Sequence, residues 1–382
     1  MKPYTWYEYL IGVSLSLAIG AGGGSLFLKG AKFALAGIGA GAESIVRSAG
    51  EGAAQGALSL GLDLGLAGQK INSSAFLGPL FIPAAKEKET NKSDNTVSLV
   101  FVGDIMLDRG VAWSVNGRGG GDYNFVFANV PTLKNADILF GNLEGPLSDK
   151  GRDRFNLYSF RFLPEALGAL SSAGFEVLSV ANNHIGDWGR EAFVDTLSRL
   201  EGAGIAPVGD IRDDKGETAL KIITAKGVTF GFLGFTDVGP NWLGVGEFPV
   251  LSIASVDNVK KLVAMHAPKV DYLIVSFHFG NEYETLPNKR QRALAQAAVD
   301  AGAKLVIGHH PHVIQPVEKY GNGLIAYSLG NFVFDQNFSQ ETMQGRVFEV
   351  LVKNAETSDY FEHLVKINRA FQPSLASDSL SL

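Results

Sequence analysis

The residues best suited to chemistry in this chain are His309, His310 and His312, which place three of its seven histidines within four consecutive positions. They follow the apolar run KLVIG (304–308), whose length and β-branched content are typical of a buried strand. The imidazoles are therefore expected on the loop beyond the carboxyl end of that strand, where open α/β sheets bind their ligands. Neutral imidazole is the commonest protein ligand for transition metals, so the spacing indicates a metal site. The alternative is a polar turn in which the histidines have no shared role.

Polar side chains follow four further apolar runs in the same way. In chain order they are Asp104 after SLVFV, Asn142 and Glu144 after ILFG, Asn183 and His184 after VLSV, and His278 after DYLIVS. Each signal alone is weak, because Gly-Asp after a strand and Asn-His in a turn are both common. Carboxylate, amide and imidazole ligands together suit Mn, Fe or Zn, whereas an all-oxygen set would suit Mg or Ca. The sequence therefore predicts a site for one or two divalent transition-metal ions.

Segments with helical spacing alternate with these strands. They cover residues 164–173, 190–202, 256–266 and 288–301. The later runs GLIAYSL and RVFEVLV are typical of antiparallel strands instead. Alternating strands and helices indicate a layered α/β domain, so the polar side chains at the strand ends are expected to converge.

The composition excludes several other classes of site. The 382 residues carry a formal net charge of -6, and no basic stripe appears, which argues against a nucleic-acid partner. The chain has no cysteine, so disulfides, cysteine-based zinc sites and a thiol nucleophile are excluded. Metal ligands must therefore be nitrogen and oxygen atoms.

The N-terminal segment is predicted to anchor the chain in a membrane. Residues 9–28 carry no charge over the length that a helix needs to cross a bilayer. A cleaved signal peptide is the alternative, but no clean small-residue cleavage site ends a short apolar core. The predicted organisation is an anchor (1–30), a Gly/Ala-rich segment with a polar linker (31–96), a catalytic domain (97–372) and a flexible tail (373–382). The uncharged span, the polar linker and the lack of cysteine together favour a single-pass protein of the cell membrane, with the domain outside the cytoplasm.

Several of these segments resemble one known family. The runs GDIML, NLEGPL, ANNHIGDWG, FHFGNEYETLP and above all GHHPHVIQPVEKYGNGLIAYSLGNFVFD are similar to the capsule synthesis protein CapA family, the poly-γ-glutamate capsule proteins with a calcineurin-like metallophosphatase fold. The resemblance spans roughly residues 98–336. It implies a four-layer α/β/β/α metallophosphatase-like sandwich with its metal site at the strand ends, on a membrane-anchored, outward-facing protein.

The resemblance also implies roles for individual residues. Asp104 is similar to the first-motif aspartate that binds a metal, Asn183 to an amide ligand, and His184 to the histidine that acts on the leaving group; His278, His310 and His312 match the later histidine ligands. Two positions depart from the superfamily pattern. Met106 stands where the first motif usually has a histidine, and Asn142 and Glu144 stand where the second motif has a bridging aspartate. Which of Asn142 and Glu144 binds metal stays open.

The remaining candidate residues surround these ligands in the sequence. Asp187 is expected to support a catalytic imidazole, because such imidazoles are usually hydrogen-bonded to a carboxylate or a carbonyl. Arg161, His309 and Glu282 are assigned to substrate binding, and an arginine would suit a phosphate or a polyanionic chain. An ordinary salt bridge is the alternative for Arg161. His266 and His363 are interpreted as structural or surface residues.

Two functional hypotheses follow. In the first, the chain is a metal-dependent hydrolase that acts on a phosphoester or a polymer bond during capsule or envelope assembly. In the second, it is a non-catalytic component of a polymer synthesis and export complex, with a degenerate site. The predicted partners are a membrane, a polyanionic polymer or phosphoester substrate, and subunits of a capsule synthesis complex.

Overall fold

The computed structural model of the protein describes residues 95–213 and 220–376. The predicted anchor, the Gly/Ala-rich segment and nearly all of the polar linker lie outside these residues. No helix within the described residues is both long and apolar enough to cross a membrane.

The first sheet has eight strands and carries the N-terminal half of the site. Its members are β1 (Val97–Ile105), β2 (Ile138–Leu143), β3 (Phe175–Ser179), β4 (Ala206–Val208), β13 (Asn331–Val333), β14 (Gln344–Lys353), β15 (Glu356–Ile367) and β16 (Pro373–Leu375). The order is β16-β15-β14-β1-β2-β3-β4, and β13 pairs with β1. Strands β1 to β4 and β13 run parallel, whereas β14 to β16 are antiparallel to their neighbours. The ends of β1, β2 and β3 therefore lie at one edge.

The second sheet has six strands and carries the C-terminal half of the site. Its members are β6 (Lys221–Ala225), β7 (Val228–Thr236), β9 (Tyr272–His278), β10 (Leu305–His309), β11 (Val317–Tyr320) and β12 (Gly323–Ala326), in the order β11-β12-β10-β9-β7-β6. Strands β7, β9, β10 and β12 are parallel, so β9 and β10 also end together. Two short strands, β5 (Asp210–Ile211) and β8 (Val250–Leu251), pair separately.

Helices cover the outer face of each sheet. They are α1 (Arg109–Arg118), α2 (Asn124–Phe127), α3 (Ala166–Ala173), α4 (Gly189–Gly202), α5 (Val256–His266) and α6 (Lys289–Asp300). One apolar core joins the first sheet to α1 through α4, a second fills the space between the sheets, and a third joins the second sheet to α5 and α6. The predicted α/β class, with two mixed sheets between helices, is therefore confirmed.

Close backbone approach explains two glycines next to the site. A Cβ on Gly103 would lie 2.0 Å from the carbonyl oxygen of Gly330, and one on Gly308 would lie 2.0 Å from that of Tyr327. A side chain at either position would push neighbouring segments apart. These glycines let β1 and β10 deliver the polar residues that follow them.

The C-terminal segment differs from the predicted tail at its start. Pro373–Leu375 form β16, which pairs with β15 so that Leu375 lies opposite Val365. An edge strand offers free backbone groups, so a short segment without apolar alternation can still pair there. Residues 377–382 lie outside the described part of the chain.

Candidate metal centre

The polar strand ends of both sheets meet at one buried site. Asp104 of β1 lies opposite Asn142 of β2, and His278 of β9 lies opposite His309 of β10. The potential ligands form two overlapping groups, one of Glu144, His310 and His312 and one of Asp104, Glu144 and His278. The ligand atoms within each group lie within 4.8 Å of one another, and all of these residues are buried.

Glu144 is common to both groups. Its Oε1 lies 3.5 Å from His278 Nε2 and 3.9 Å from His312 Nε2. Ligands about 2.1 Å from one ion are separated by roughly 3.4 Å when tetrahedral, so this spacing is close to that of a coordination shell. Glu144 Oε1 is buried and accepts no hydrogen bond from the residues that the structure describes. A buried carboxylate oxygen without a donor is costly, and a cation would satisfy it.

The two carboxylates at the centre differ in their acidity. Burial, followed by the negative charges of Asp104, Glu282 and Asp187, raises the pKa of Glu144 well above its usual value. Burial also opposes ionisation of Asp104, but His312 and Asn142 outweigh it through hydrogen bonds and charge, so the pKa of Asp104 is lowered. The ionised form of Glu144 is therefore disfavoured without a compensating positive charge, which a bound cation would supply.

Two histidines of the cluster, His278 and His310, are held in the neutral form that binds metal. Burial, followed by the neighbouring imidazoles, lowers the pKa of His278 well below its usual value. Burial lowers the pKa of His310 to about 3, with His312 as the next cause. The ring of His310 lies 4.7 Å from that of His278 and 5.9 Å from that of His312. The neutral imidazoles of His278 and His310 supply nitrogen lone pairs, so the donor set fits a divalent transition metal.

The turn that carries His310 and His312 has a strained backbone. Their φ angles are 97° and 57°, in the left-handed region. Non-glycine residues pay about 1–2 kcal/mol for that conformation. A strained backbone persists only where the surrounding structure fixes it, and such positions cluster at functional sites. The strain at His310 and His312 therefore agrees with a turn that carries ligands.

Asn142 does not fit the predicted role of a metal ligand. Asn182 Oδ1 accepts from the backbone N–H groups of His184 and Ile185, so its Nδ2 must be the atom that donates to Leu143 O (2.8 Å) and Asn142 Oδ1 (3.3 Å). This leaves Asn142 Nδ2 facing the cluster, where it donates to Asp104 Oδ1 at 2.9 Å and to Glu144 Oε2 at 3.3 Å.

Asn142 therefore orients the two carboxylates, because the atom that it turns toward them is a donor. Of the two candidates that the sequence left open, Glu144 is the one with its oxygens in the cluster.

Asn183 extends the cluster on the side of β3. Its Oδ1 lies 2.7 Å from His278 Nε2, the atom that also faces Glu144. This is a hydrogen-bonding distance, so the Asn183 amide lies next to the cluster, and its role as a metal ligand stays a prediction. Met106, by contrast, is fully buried, and its Sδ accepts the Asp108 backbone N–H at 3.1 Å.

His184 and Asp187 form a pair beside the cluster. His184 Nδ1 lies 2.8 Å from Asp187 Oδ2, and the same carboxylate accepts from the Phe160 backbone N–H and from Asn156 Nδ2. The ring of Phe160 packs against the His184 ring at 4.1 Å, and the Arg109 guanidinium lies 4.8 Å above Phe160. Because Nδ1 faces a carboxylate, it carries the proton, and Nε2 is the atom free to exchange a proton.

His309 does not reach a substrate, contrary to the prediction. Its side chain is buried between the sheets, where it stacks against Phe140 and its Nε2 lies 3.2 Å from Val102 O. Strand β10 extends to His309 rather than ending at Gly308. The residue is therefore part of the sheet, and it links the second sheet to β1 of the first.

The other predicted substrate residues, Arg161 and Glu282, are half-buried and exposed respectively, so they lie outside the buried cluster. The Arg161 guanidinium stacks on Trp188 at 3.6 Å, so the planar cation is held in place by an aromatic ring. Glu282 is exposed, and after burial its charge is the next cause that raises the pKa of Tyr283. The substrate-binding roles of Arg161 and Glu282 stay predictions.

Exposed aromatic residues lie on the His312 side of the cluster. Tyr158, Tyr283 and Phe338, here called the aromatic rim, are 52%, 44% and 64% exposed. Tyr283 packs edge-on against Phe338 at 5.2 Å, lies 6.3 Å from the His312 ring, and is close enough to Tyr158 for that phenol to raise its pKa further. The rim therefore presents exposed aromatic surface close to His312.

Sequence reasoning missed three residues that build the site. Asn182 sets the orientation of Asn142, Phe160 packs on His184, and Asn331 contacts His312. A signal existed for Asn331, which follows the apolar run GLIAYSL as a polar residue should at a strand end. No sequence signal indicated Phe160, because it lies in a segment without regular secondary structure.

Comparison with known proteins finds a family model, protein sequences and solved structures that match this chain. The model of the family described as bacterial capsule synthesis protein PGA_cap matches residues 98–336. A capsule biosynthesis protein CapA of Bacillus anthracis is 37% identical over 270 residues, which are 68% of this chain and 64% of that protein. A PGA biosynthesis protein CapA of Bacillus subtilis is 33% identical over 306 residues, or 78% of each chain. A solved phosphatase structure from Mycoplasma pneumoniae matches with a TM-score of 0.44 and 13% identity, covering 72% of this chain and 94% of that one.

Proposed function

This chain belongs to the bacterial capsule synthesis protein family PGA_cap, and from that premise we propose that it is a membrane-anchored, metal-dependent hydrolase. Its substrate would be a phosphoester or a polymer bond formed during synthesis of poly-γ-glutamate or a related envelope polymer. The observation that carries the proposal is the His184–Asp187 pair beside a buried cluster of metal-compatible ligands. Binding alone would need the ligands but not an oriented imidazole next to them.

The ligands divide into two overlapping groups. Asp104, Glu144, Asn183 and the three histidines His278, His310 and His312 would hold one or two divalent ions, with Glu144 shared. Such an ion supplies Lewis acidity toward an ester or amide oxygen at neutral pH. Asn142 keeps Asp104 and Glu144 in place by donating to both.

His184 would donate a proton to the leaving group. With Nδ1–H directed to Asp187, its Nε2 can carry a second proton and donate it to a departing oxygen or nitrogen. Asp187 stabilises the imidazolium and fixes the ring, because the carboxylate is itself held by Phe160 and Asn156. Arg161, stacked on Trp188, is placed to bind an anionic part of the substrate.

The hydrolase proposal is tested with the purified full-length chain in mild detergent. It should hydrolyse an aryl phosphate or a γ-linked glutamate oligomer when supplied with Mn²⁺ or Zn²⁺, and a chelator should abolish the reaction. Turnover of neither substrate by a chain that holds bound metal would contradict the proposal.

A non-catalytic role in a polymer synthesis complex is the second candidate. Met106 favours it, because a buried thioether bonded to Asp108 N–H stands where the wider metallophosphatase superfamily usually has an imidazole. The names of the Bacillus relatives agree with either role, since both place those proteins in capsule or PGA biosynthesis. Metal binding without turnover would support this second function.

The cellular position is also part of the proposal. The uncharged span 9–28 would hold the chain in the cell membrane as a single pass, with the domain outside the cytoplasm, where a surface polymer is assembled. Protease treatment of intact cells is expected to release a soluble domain, detected by an antibody against residues 97–372. Recovery of the full-length protein from the cytosolic fraction would contradict this placement.

A further inference from the structure

We propose that Asn331 is a positioning residue that fixes the His312 imidazole through its amide oxygen and the aromatic rim through its amide nitrogen. The inference rests on the proposed function in one respect, since it takes His312 to be a metal ligand. Asn331 is fully buried at the start of β13, with Asp104 as its partner across the parallel pair. Its side chain is therefore placed by the sheet and not by a loop.

A backbone group determines which way the Asn331 amide points. Its Nδ2 donates to the carbonyl oxygen of Thr342 at 2.9 Å and to Gln336 Oε1 at 3.1 Å. A backbone carbonyl can only accept, so the nitrogen must lie on that side. The Oδ1 atom consequently faces His312, 3.0 Å from Nδ1.

This orientation sets the tautomer of His312. Nδ1 lies between two acceptors, Asn331 Oδ1 at 3.0 Å and Asp104 Oδ2 at 3.2 Å, so it carries the proton. Nε2 is then the bare nitrogen, and it faces Glu144 Oε1 at 3.9 Å. A hydrogen-bond acceptor on the remote nitrogen both orients a metal-binding imidazole and increases its basicity.

The nitrogen side of the same amide leads to the aromatic rim. Gln336, which accepts from Asn331, donates through Nε2 to the Tyr283 hydroxyl at 3.2 Å. Tyr283 packs on Phe338, which lies in the segment between Gln336 and Thr342. One buried amide thus joins the metal centre to the surface that borders it.

Three variants of the full-length chain test separately the contact of Asn331 with His312 and its link to the aromatic rim. Asn331→Ala removes both contacts, so it should weaken Zn²⁺ or Mn²⁺ binding by about 10- to 100-fold and raise KM for the hydrolysed ester. Asn331→Asp keeps an acceptor for His312 but loses both donors, so metal affinity should stay within about threefold while KM rises. Thr342→Val is the matched control. It removes a hydroxyl that donates to Gln336 O and holds the segment 336–342, but it does not contact His312. This variant should therefore change KM without changing metal affinity.

Metal affinity is measured by equilibrium dialysis with elemental analysis, and the thermal melt of each variant verifies folding. The His312→Ala background gives a second readout, in which adding Asn331→Ala should cause no further loss of metal affinity. An equal loss in that background, or unaltered metal binding by Asn331→Ala, would overturn the inference while leaving the proposed function intact. An unaltered chain that binds no metal would overturn both.

Discussion

Replacing His184 with glutamine is expected to lower the hydrolysis of an ester with a poor leaving group by a factor on the order of 10² to 10⁴, with metal and fold retained. The reason is the position of His184: it pairs with Asp187 at 2.8 Å and lies outside both groups of clustered ligands. Glutamine preserves the polarity and approximate length of the side chain but cannot donate a proton as an acid. An activated aryl ester scarcely needs that proton, so its hydrolysis should fall much less.

The matched control for this substitution is His363→Gln. His363 lies on β15, 3.5 Å from Glu349 Oε2 and away from the strand ends that form the site, so the same change there should leave the rates unaltered. Rates are compared for a nitrophenyl ester and an alkyl ester under metal saturation. Loss of metal together with activity in His184→Gln would show that His184 is a ligand, and its role as an acid would be wrong.

Replacing His278 or His312 with alanine should reduce metal affinity by more than the roughly 10- to 100-fold that is typical of a supporting residue. Each substitution deletes a nitrogen that faces Glu144 Oε1, at 3.5 Å for His278 and 3.9 Å for His312. Backbone pairing fixes the neighbouring ligands, so none of them can move into the space. Metal content per chain, measured after dialysis against a fixed free-metal concentration, gives the result.

His266→Ala serves as the control for loss of a buried imidazole. His266 is fully buried at the end of α5, but it belongs to neither group of potential ligands. Its removal should lower thermal stability without changing metal content. Added metal should raise the melting temperature of this variant as it does for the unaltered chain, by mass action on the folded state. Equal metal content in all three variants would contradict the assignment of the ligands.

The strand ends were the part of the site that the sequence could predict. Apolar runs mark buried strands, and parallel strands place their carboxyl ends at one edge, so Asp104, Glu144 and His278 could be grouped without coordinates. The observed strands begin and end within two or three residues of the apolar runs. The helix predicted at residues 256–266 has the same bounds in the structure.

Side-chain direction could not be predicted in the same way. Strand β10 ends one residue beyond its apolar run, and this makes His309 a link between the sheets instead of a loop residue. Asn142 faces the cluster with its nitrogen because Asn182, forty residues later, is fixed by backbone N–H groups of its own turn. Both outcomes depend on contacts between segments that are far apart in the chain, which local pattern does not contain.

The central claim is that the clustered strand ends bind a transition metal, and anomalous X-ray scattering from crystals of the chain soaked with Zn²⁺ or Mn²⁺ tests it most directly. We expect an anomalous peak in contact with Glu144 and His278, and a second peak, if two ions bind, beside His310 and His312. Data collected above and below the absorption edge identify the element. An absence of any peak at these side chains at saturating metal, with the side chains themselves well ordered, would contradict the account.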